Sequence, residues 1–151
     1  MNLEIIQIAD RGVITKERVV LSVLRDTNLT YYAVFLTRYA TASTVENGGL
    51  SAFWFPAQQV SAGDLIVLST GYGVNTDSSG PIGIVRSPVT HYCYWGLNRT
   101  VLNTPQDCVV VVEIGEWKTS PMGDDILRPA TIGLGGGLSG YLGPSGWSSH
   151  R

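Results

Sequence analysis

Charged side chains are scarce in this sequence. Asp, Glu, Lys and Arg make up 15% of its 151 residues, against an average of about 25% in soluble proteins. The formal net charge is −2, and the Lys and Arg residues are scattered singly along the chain. Because nucleic-acid-binding proteins usually present a basic face, this pattern argues against nucleic acid as a partner.

Long apolar runs are also missing. No run approaches the roughly 20 residues of a membrane-spanning helix, so we expect no membrane partner. The N-terminus has no basic region followed by an apolar stretch, which is the pattern of a secretory signal peptide. We therefore expect synthesis in the cytoplasm.

Cysteine and histidine number two each. For Cys93 and Cys108 we expect buried free thiols, with a disulfide between them as the alternative. His91 could hold a metal together with both cysteines, but the spacing is not that of a zinc site, so we expect no metal or cofactor. A hydrolase that uses His91 with Asp107 or Glu113 is a further alternative. We favour a surface or strand-end position for His91 and no enzymatic activity.

Glycine, β-branched and aromatic residues are abundant, and this mixture predicts an all-β fold with tight turns. Short apolar or alternating runs that predict strands occupy residues 2–8, 17–24, 30–39, 91–95 and 108–114. The last run is β-branched and apolar on both faces, which is typical of a central strand.

Residues 53–70 combine two predicted strands and a turn, and we take this segment as the unit around which the fold is organised. An aromatic strand, Phe53–Phe55, ends at Pro56, which has no N–H to donate to a sheet. Ser61–Asp64 predicts a turn in which Gly63 supplies a positive φ, and Leu65–Leu68 follows as a core strand. We expect the aromatic side chains at 35, 54 and 55 to lie in the core.

Residues 71–88 form a long irregular stretch, and loops of this length are usually functional or mobile. We expect a short edge strand at residues 82–85. Because Tyr, Trp and Arg dominate protein interfaces, the candidate binding residues in and after this loop are Tyr72, Asn75, Trp95 and Arg99.

The composition changes after Thr119, so we predict a β domain over residues 1–119 and a tail over residues 120–151. Half of residues 133–146 are glycine, and such a segment loses much entropy on ordering. It is either a flexible tail or a segment that orders against a neighbouring subunit. In the second case its binding residues would include Leu138, Tyr141 and Trp147.

Two segments resemble lamin-tail-like domains, a family of immunoglobulin-like β-sandwiches. The first runs from Phe55-Pro56 through Gly63-Asp64 into the strand at 65–68, with Ala62 where the family often has Pro. The second runs from Trp95-Gly96-Leu97 through Asn103 to the strand at 108–111, with Pro105-Gln106 in place of the expected Gly. The resemblance covers residues 2–118 and implies an antiparallel immunoglobulin-like β-sandwich with a Gly-rich C-terminal extension.

The resemblance implies a binding or scaffold module without catalytic residues of its own. We therefore predict a non-catalytic protein-interaction or assembly module with a protein partner or a homo-oligomeric state, such as a viral or phage structural component within a virion. The alternative is a small-molecule or nucleotide-binding protein that uses the loop at 71–88.

Overall fold

A computed structural model describes residues 1–47, 51–78 and 87–123 and the backbone of residues 149–150. Its two compact units are Met1–Glu113 and Ile114–Arg151. The predicted tail segment at 133–146 and the predicted edge strand at 82–85 lie outside the described residues. The predicted boundary after residue 119 stays a prediction.

The described residues are almost entirely β, as predicted, with a single 3₁₀ turn at Leu29–Tyr31. The strands are β1 Leu3–Ala9, β2 Arg18–Val23, β3 Thr27–Asn28, β4 Tyr32–Arg38, β5 Ala52–Trp54, β6 Gln59–Val60, β7 Leu65–Ser69, β8 Thr76–Asp77, β9 Thr90–Tyr94, β10 Asp107–Glu113, β11 Trp117–Lys118 and β12 Ser149–His150. In the second unit β11 pairs with β12, and in the first unit β3 pairs with β6.

The larger sheet has the strand order β1-β2-β7-β9-β8. Its neighbours are antiparallel except β7 and β9, which run parallel, so the prediction of a purely antiparallel fold is wrong at this point. Parallel neighbours need a crossover connection, and the stretch after β7 supplies it. After β7 the chain forms β8 on the side of β9 that faces away from β7, and then it forms β9 itself. The predicted long loop therefore contains part of the sheet.

The smaller sheet has the order β10-β4-β5. All seven residues of β10 pair with β4, so that Val110 lies opposite Phe35. The prediction that this β-branched run is a central strand is wrong, because β10 lies at the end of the sheet within the described part of the chain. β10 is apolar on both sides because one side packs on the core and the other belongs to an outer face that carries no charged side chain.

The two sheets share one hydrophobic core. Its buried members from the larger sheet include Val19, Leu21, Ile66 and Leu68, and those from the smaller sheet include Tyr32, Val34 and Val109. Leu29, Phe55, Val60 and Leu102 complete it from connecting segments and short strands. The coarse prediction of a β-sandwich therefore agrees with the packing.

The sequence predicted core positions for three aromatic side chains, and the structure confirms one of them. Phe55 is buried as predicted, but Phe35 is 42% exposed and Trp54 is 47% exposed. Both lie on the outer face of the smaller sheet because their neighbours in the alternation, such as Val34, face the core. The prediction of core positions for Phe35 and Trp54 is therefore wrong.

The turns follow from local chemistry. Gly63 has φ 91°, and the N–H of Asp64 donates to the carbonyl of Ser61 at 3.0 Å, which confirms the predicted turn. At the start of β10, the Asp107 carboxylate accepts hydrogen bonds from the backbone N–H and the hydroxyl of Thr104. Burial by itself would raise the pKa of Asp107, but these hydrogen bonds and the Arg38 guanidinium hold that pKa below its usual value.

Glu17 joins three segments of the first unit, although nothing in the sequence pattern marks it. Its side chain is buried. Its two carboxylate oxygens accept hydrogen bonds, at 2.9–3.1 Å, from the backbone N–H groups of Gly12, Val101 and Leu102 and from the Thr70 hydroxyl. These donors lie in the turn after β1, directly after β7, and in the segment before β10, so one carboxylate connects segments that no strand pairing connects.

The variant Glu17→Gln is expected to lower the free energy of unfolding by about 2–4 kcal/mol, because the amide nitrogen cannot accept the N–H groups that the carboxylate accepts. Urea unfolding monitored by circular dichroism measures this loss. Glu4→Gln on β1 is the matched control, since Glu4 is exposed, and it should change stability by less than about 0.5 kcal/mol. Equal losses in the two variants would contradict the role given to Glu17.

Candidate functional site

A chain of three ionisable side chains crosses the larger sheet near its β8 edge. His91 on β9 is buried and faces the core, since it lies opposite Ile66 of β7. Its Nε2 lies 3.0 Å from Oδ2 of Asp64, and its Nδ1 lies 2.8 Å from Oδ1 of Asp77. Asp64 is fully buried, whereas the Asp77 side chain is 47% exposed. The chain therefore leads from the core to the surface.

Local structure explains how Asp64 comes to this position. It closes the turn that begins at Ser61, and its carboxylate accepts the N–H of Ser61 and the N–H of Val89, each at 3.0 Å. The parallel pairing of β7 with β9 then brings His91 next to it. Asp77 arrives from the other side, because β8 pairs with β9 and places Asp77 opposite His91.

The sequence interpretation gave His91 a surface or strand-end position. His91 lies near the start of its strand, but its side chain is buried and not on the surface. Its carboxylate partners are Asp64 and Asp77, so the fold does not form the alternative pairing with Asp107 or Glu113. A hydrolytic triad needs one ring nitrogen on a carboxylate and the other on a nucleophile. Here both nitrogens lie within hydrogen-bonding distance of carboxylates. The arrangement is suited to holding strands together.

A cleft of about 220 Å³ opens beside this chain of side chains. It is lined by Leu29, Pro56, Gln58, Asn75, Thr76, Asp77, His91, Tyr92 and Cys93. Polar groups from the predicted loop, Asn75 to Asp77, form one of its walls. The cleft is smaller than the roughly 300–1,000 Å³ of most small-molecule sites, so only a small group fits.

Both cysteines are buried free thiols, as predicted. Burial raises the pKa of Cys93 to about 11, and burial also raises the pKa of Cys108. A thiol with a raised pKa is protonated at neutral pH and is a poor nucleophile. Cys108 lies opposite Thr37 on the outer face of the smaller sheet, whereas His91 and Cys93 face the core, so the fold does not form the His91-Cys93-Cys108 set considered above. Among the described residues, no group of three or more His, Cys, Asp or Glu side chains could hold a metal ion.

Two predicted binding residues lie in the loop after β7. Tyr72 is 74% exposed, and its ring lies beside Gly96. Asn75 accepts the N–H of Tyr94 at 3.2 Å and lines the cleft. Gly73 lies so close to the ring of Tyr94 that an added Cβ would overlap it, so the close approach of these segments requires glycine.

The other predicted binding residues are not brought together with these two in one site. Trp95 is half-buried, its ring packs on Phe53, and its Nε1 donates to the Ser51 hydroxyl at 2.9 Å. Arg99 is exposed in the segment before β10. Leu138, Tyr141 and Trp147 lie outside the described residues.

The outer face of the smaller sheet carries no charge, and no sequence signal singled it out. We call it the Phe35 face, and its residues are Ala33, Phe35, Ala52, Trp54, Val110 and Val112. The Nε1 of Trp54 donates to the carbonyl of Thr30 at 2.7 Å, which holds the exposed indole in place. A solvent-facing sheet face normally carries polar side chains in alternation with the core residues, whereas the polar side chain on this face within β4 and β10 is the buried Thr37.

No protein-family model matches the chain, and the search of curated proteins gives no significant match to its sequence. No helix long and apolar enough to cross a membrane occurs in the part of the chain that the structure describes.

Replacement of His91 by Ala is expected to lower the free energy of unfolding by about 2–4 kcal/mol, because the fully buried Asp64 carboxylate loses its contact with the imidazole and a buried side chain is truncated. Asp77→Asn is the comparison variant; it keeps a hydrogen-bonding side chain at a half-exposed site and should cost less than about 1 kcal/mol. Urea unfolding at pH 7 gives both values. A cost for His91→Ala that is no larger than that of Asp77→Asn would show that the contact with Asp64 contributes little.

Proposed function

We propose that this protein is a non-catalytic protein-interaction or assembly module built on an immunoglobulin-like β-sandwich related to lamin-tail-like domains. The observation that carries the proposal is the uncharged Phe35 face with its exposed aromatic side chains. Exposed apolar patches of this kind mark interaction sites in soluble proteins.

Aromatic anchors support an interface better than aliphatic residues do, because they supply a large contact area at low entropic cost. Phe35 provides such an anchor, and the hydrogen bond to the Thr30 carbonyl fixes the Trp54 indole on the same face. Preorganised side chains lose little freedom on association. The scarcity of charge across the chain fits a protein packed among neighbours, and we propose a structural component of a virion or similar assembly.

Phe35→Glu is expected to reduce self-association of the full chain, because a carboxylate on the Phe35 face would be desolvated in the interface. Light scattering over a concentration series measures the mass, and the dissociation constant should rise at least about tenfold. Leu24→Glu is the matched control, since Leu24 is exposed but lies directly after β2 of the larger sheet, off this face. Monomeric wild-type protein at all concentrations, or equal effects of the two variants, would contradict the proposal.

A second candidate function is binding of a small cationic group in the cleft beside His91. The half-exposed Asp77 carboxylate, together with Asn75, lines the cleft and favours a positive charge. Hydrogen exchange of residues 71–78 should slow in the presence of millimolar L-arginine and remain unchanged with L-glutamate as the matched control. Unchanged exchange with arginine would remove this candidate.

A further inference from the structure

We propose that three neighbouring loops of the first unit bind the surface of membranes that contain anionic phospholipid. The loops are residues 10–17, 70–75 and 95–106, and we call them the Glu17 loops. This inference goes beyond the proposed function and does not involve the Phe35 face. It departs from the expectation of no membrane partner, which rested on the lack of long apolar runs and does not concern contact with lipid headgroups.

Hydrogen bonds place the three loops side by side. The N–H of Thr70 donates to the carbonyl of Glu17 at 3.1 Å, and the N–H of Val101 donates to the Glu17 carboxylate at 2.9 Å. Earlier in the third loop, the N–H of Leu97 donates to the carbonyl of Thr70 at 2.9 Å. The third loop is therefore tied to the other two both before and after Arg99, and all three loops share one end of the first unit.

Two of the Glu17 loops present large apolar side chains to solvent. Ile14 is 65% exposed in the first loop, and Tyr72 and Val74 are 74% and 79% exposed in the second. At these fractions the described residues leave the side chains uncovered. Clustered exposed apolar side chains mark contacts with proteins or membranes, and tyrosine is enriched at the interface between membrane and water.

The backbone of the first loop holds Ile14 outward in a strained turn. Thr15 has φ 71°, a left-handed conformation that is unfavourable for a β-branched residue. The N–H groups of Lys16 and Glu17 both donate to the carbonyl of Val13, at 3.0 and 2.9 Å, and these bonds close the turn. Strained backbone of this kind is typical of functional segments. The turn keeps an apolar side chain in water, which favours a contact that removes it from water.

The ionisable groups that stay unpaired on the Glu17 loops are basic. Within the described ranges, Arg11, Lys16 and Arg99 have no carboxylate at ion-pair distance. Of the two acidic side chains in these loops, Asp10 forms an ion pair with a residue of β2 and Glu17 is buried. The net charge of the whole chain is −2, but this end of the first unit offers free cations beside apolar side chains. That combination favours anionic headgroups over a neutral bilayer.

A lipid surface fits these loops better than a second protein does. The apolar side chains lie on separate loops, and a protein would need a matching cavity for each of them. The boundary between headgroups and acyl chains is fluid, and apolar side chains of peripheral proteins enter it by only about 5–10 Å. No membrane-spanning segment is needed for such a contact.

The test is co-sedimentation of the full chain with vesicles made of equal parts of phosphatidylserine and phosphatidylcholine. Ile14→Ser removes an apolar side chain, and Leu24→Ser is its control, because Leu24 is exposed at the opposite end of β2. Arg99→Gln removes a charge, and Arg25→Gln is its control, because the exposed Arg25 follows Leu24. Circular dichroism checks that each protein is folded.

We expect the wild-type chain to sediment with these vesicles and not with pure phosphatidylcholine, and added salt should weaken the binding. The partition coefficient should fall at least about tenfold in Ile14→Ser, because an apolar side chain no longer leaves water. It should fall about fivefold in Arg99→Gln, because one attraction to the anionic surface is lost. The two control variants should bind like the wild-type chain.

Three outcomes would overturn the inference. A wild-type chain that does not sediment with phosphatidylserine vesicles has no such surface. Equal binding to pure phosphatidylcholine would exclude recognition of anionic lipid. Equal losses in each variant and its control would show that another surface contacts the vesicle. These outcomes leave the proposed function untouched, since self-association through the Phe35 face is measured by light scattering without vesicles.

Discussion

Glu17 accepts four hydrogen bonds at a position that water hardly reaches. Three of the donors are backbone N–H groups in segments that run between strands, and a buried N–H without an acceptor costs free energy comparable to a lost hydrogen bond. One carboxylate with two oxygens satisfies these groups together. The turn after β1, the end of β7 and the approach to β10 are therefore held by a single side chain.

Asp64 has a similar role at the start of β7, the end opposite to Thr70 and Glu17. It accepts the N–H groups of Ser61 and Val89 and also contacts His91. The crossover that makes β7 and β9 parallel neighbours brings the chain back at Val89, so this carboxylate fixes the point of return. The two buried acidic side chains thus hold connecting segments against the ends of paired strands.

These contacts also decide how the chemical groups are to be interpreted. His91 and Cys93 are the kinds of residue that suggest catalysis or metal binding, but the imidazole is enclosed between two carboxylates and the thiol is buried with a raised pKa. Their geometry serves the sheet. The exposed aromatic side chains, by contrast, make no contribution to the core, and their placement on an uncharged face supports a role in association.

The sequence by itself determined the all-β class, most strand positions and the turns at 61–64 and 104–107, because strand propensity and turn chemistry act over a few residues. It also indicated buried thiols and a boundary in composition near the C-terminus. Only the tertiary structure decided which side of a strand faces the core: the apolar alternation of β4 fits either side, so Phe35 and Trp54 were misplaced. The partners of His91 and Glu17 were likewise beyond the pattern, since Asp64, Asp77, Thr70 and Leu102 come close only through long-range strand pairing and a parallel crossover.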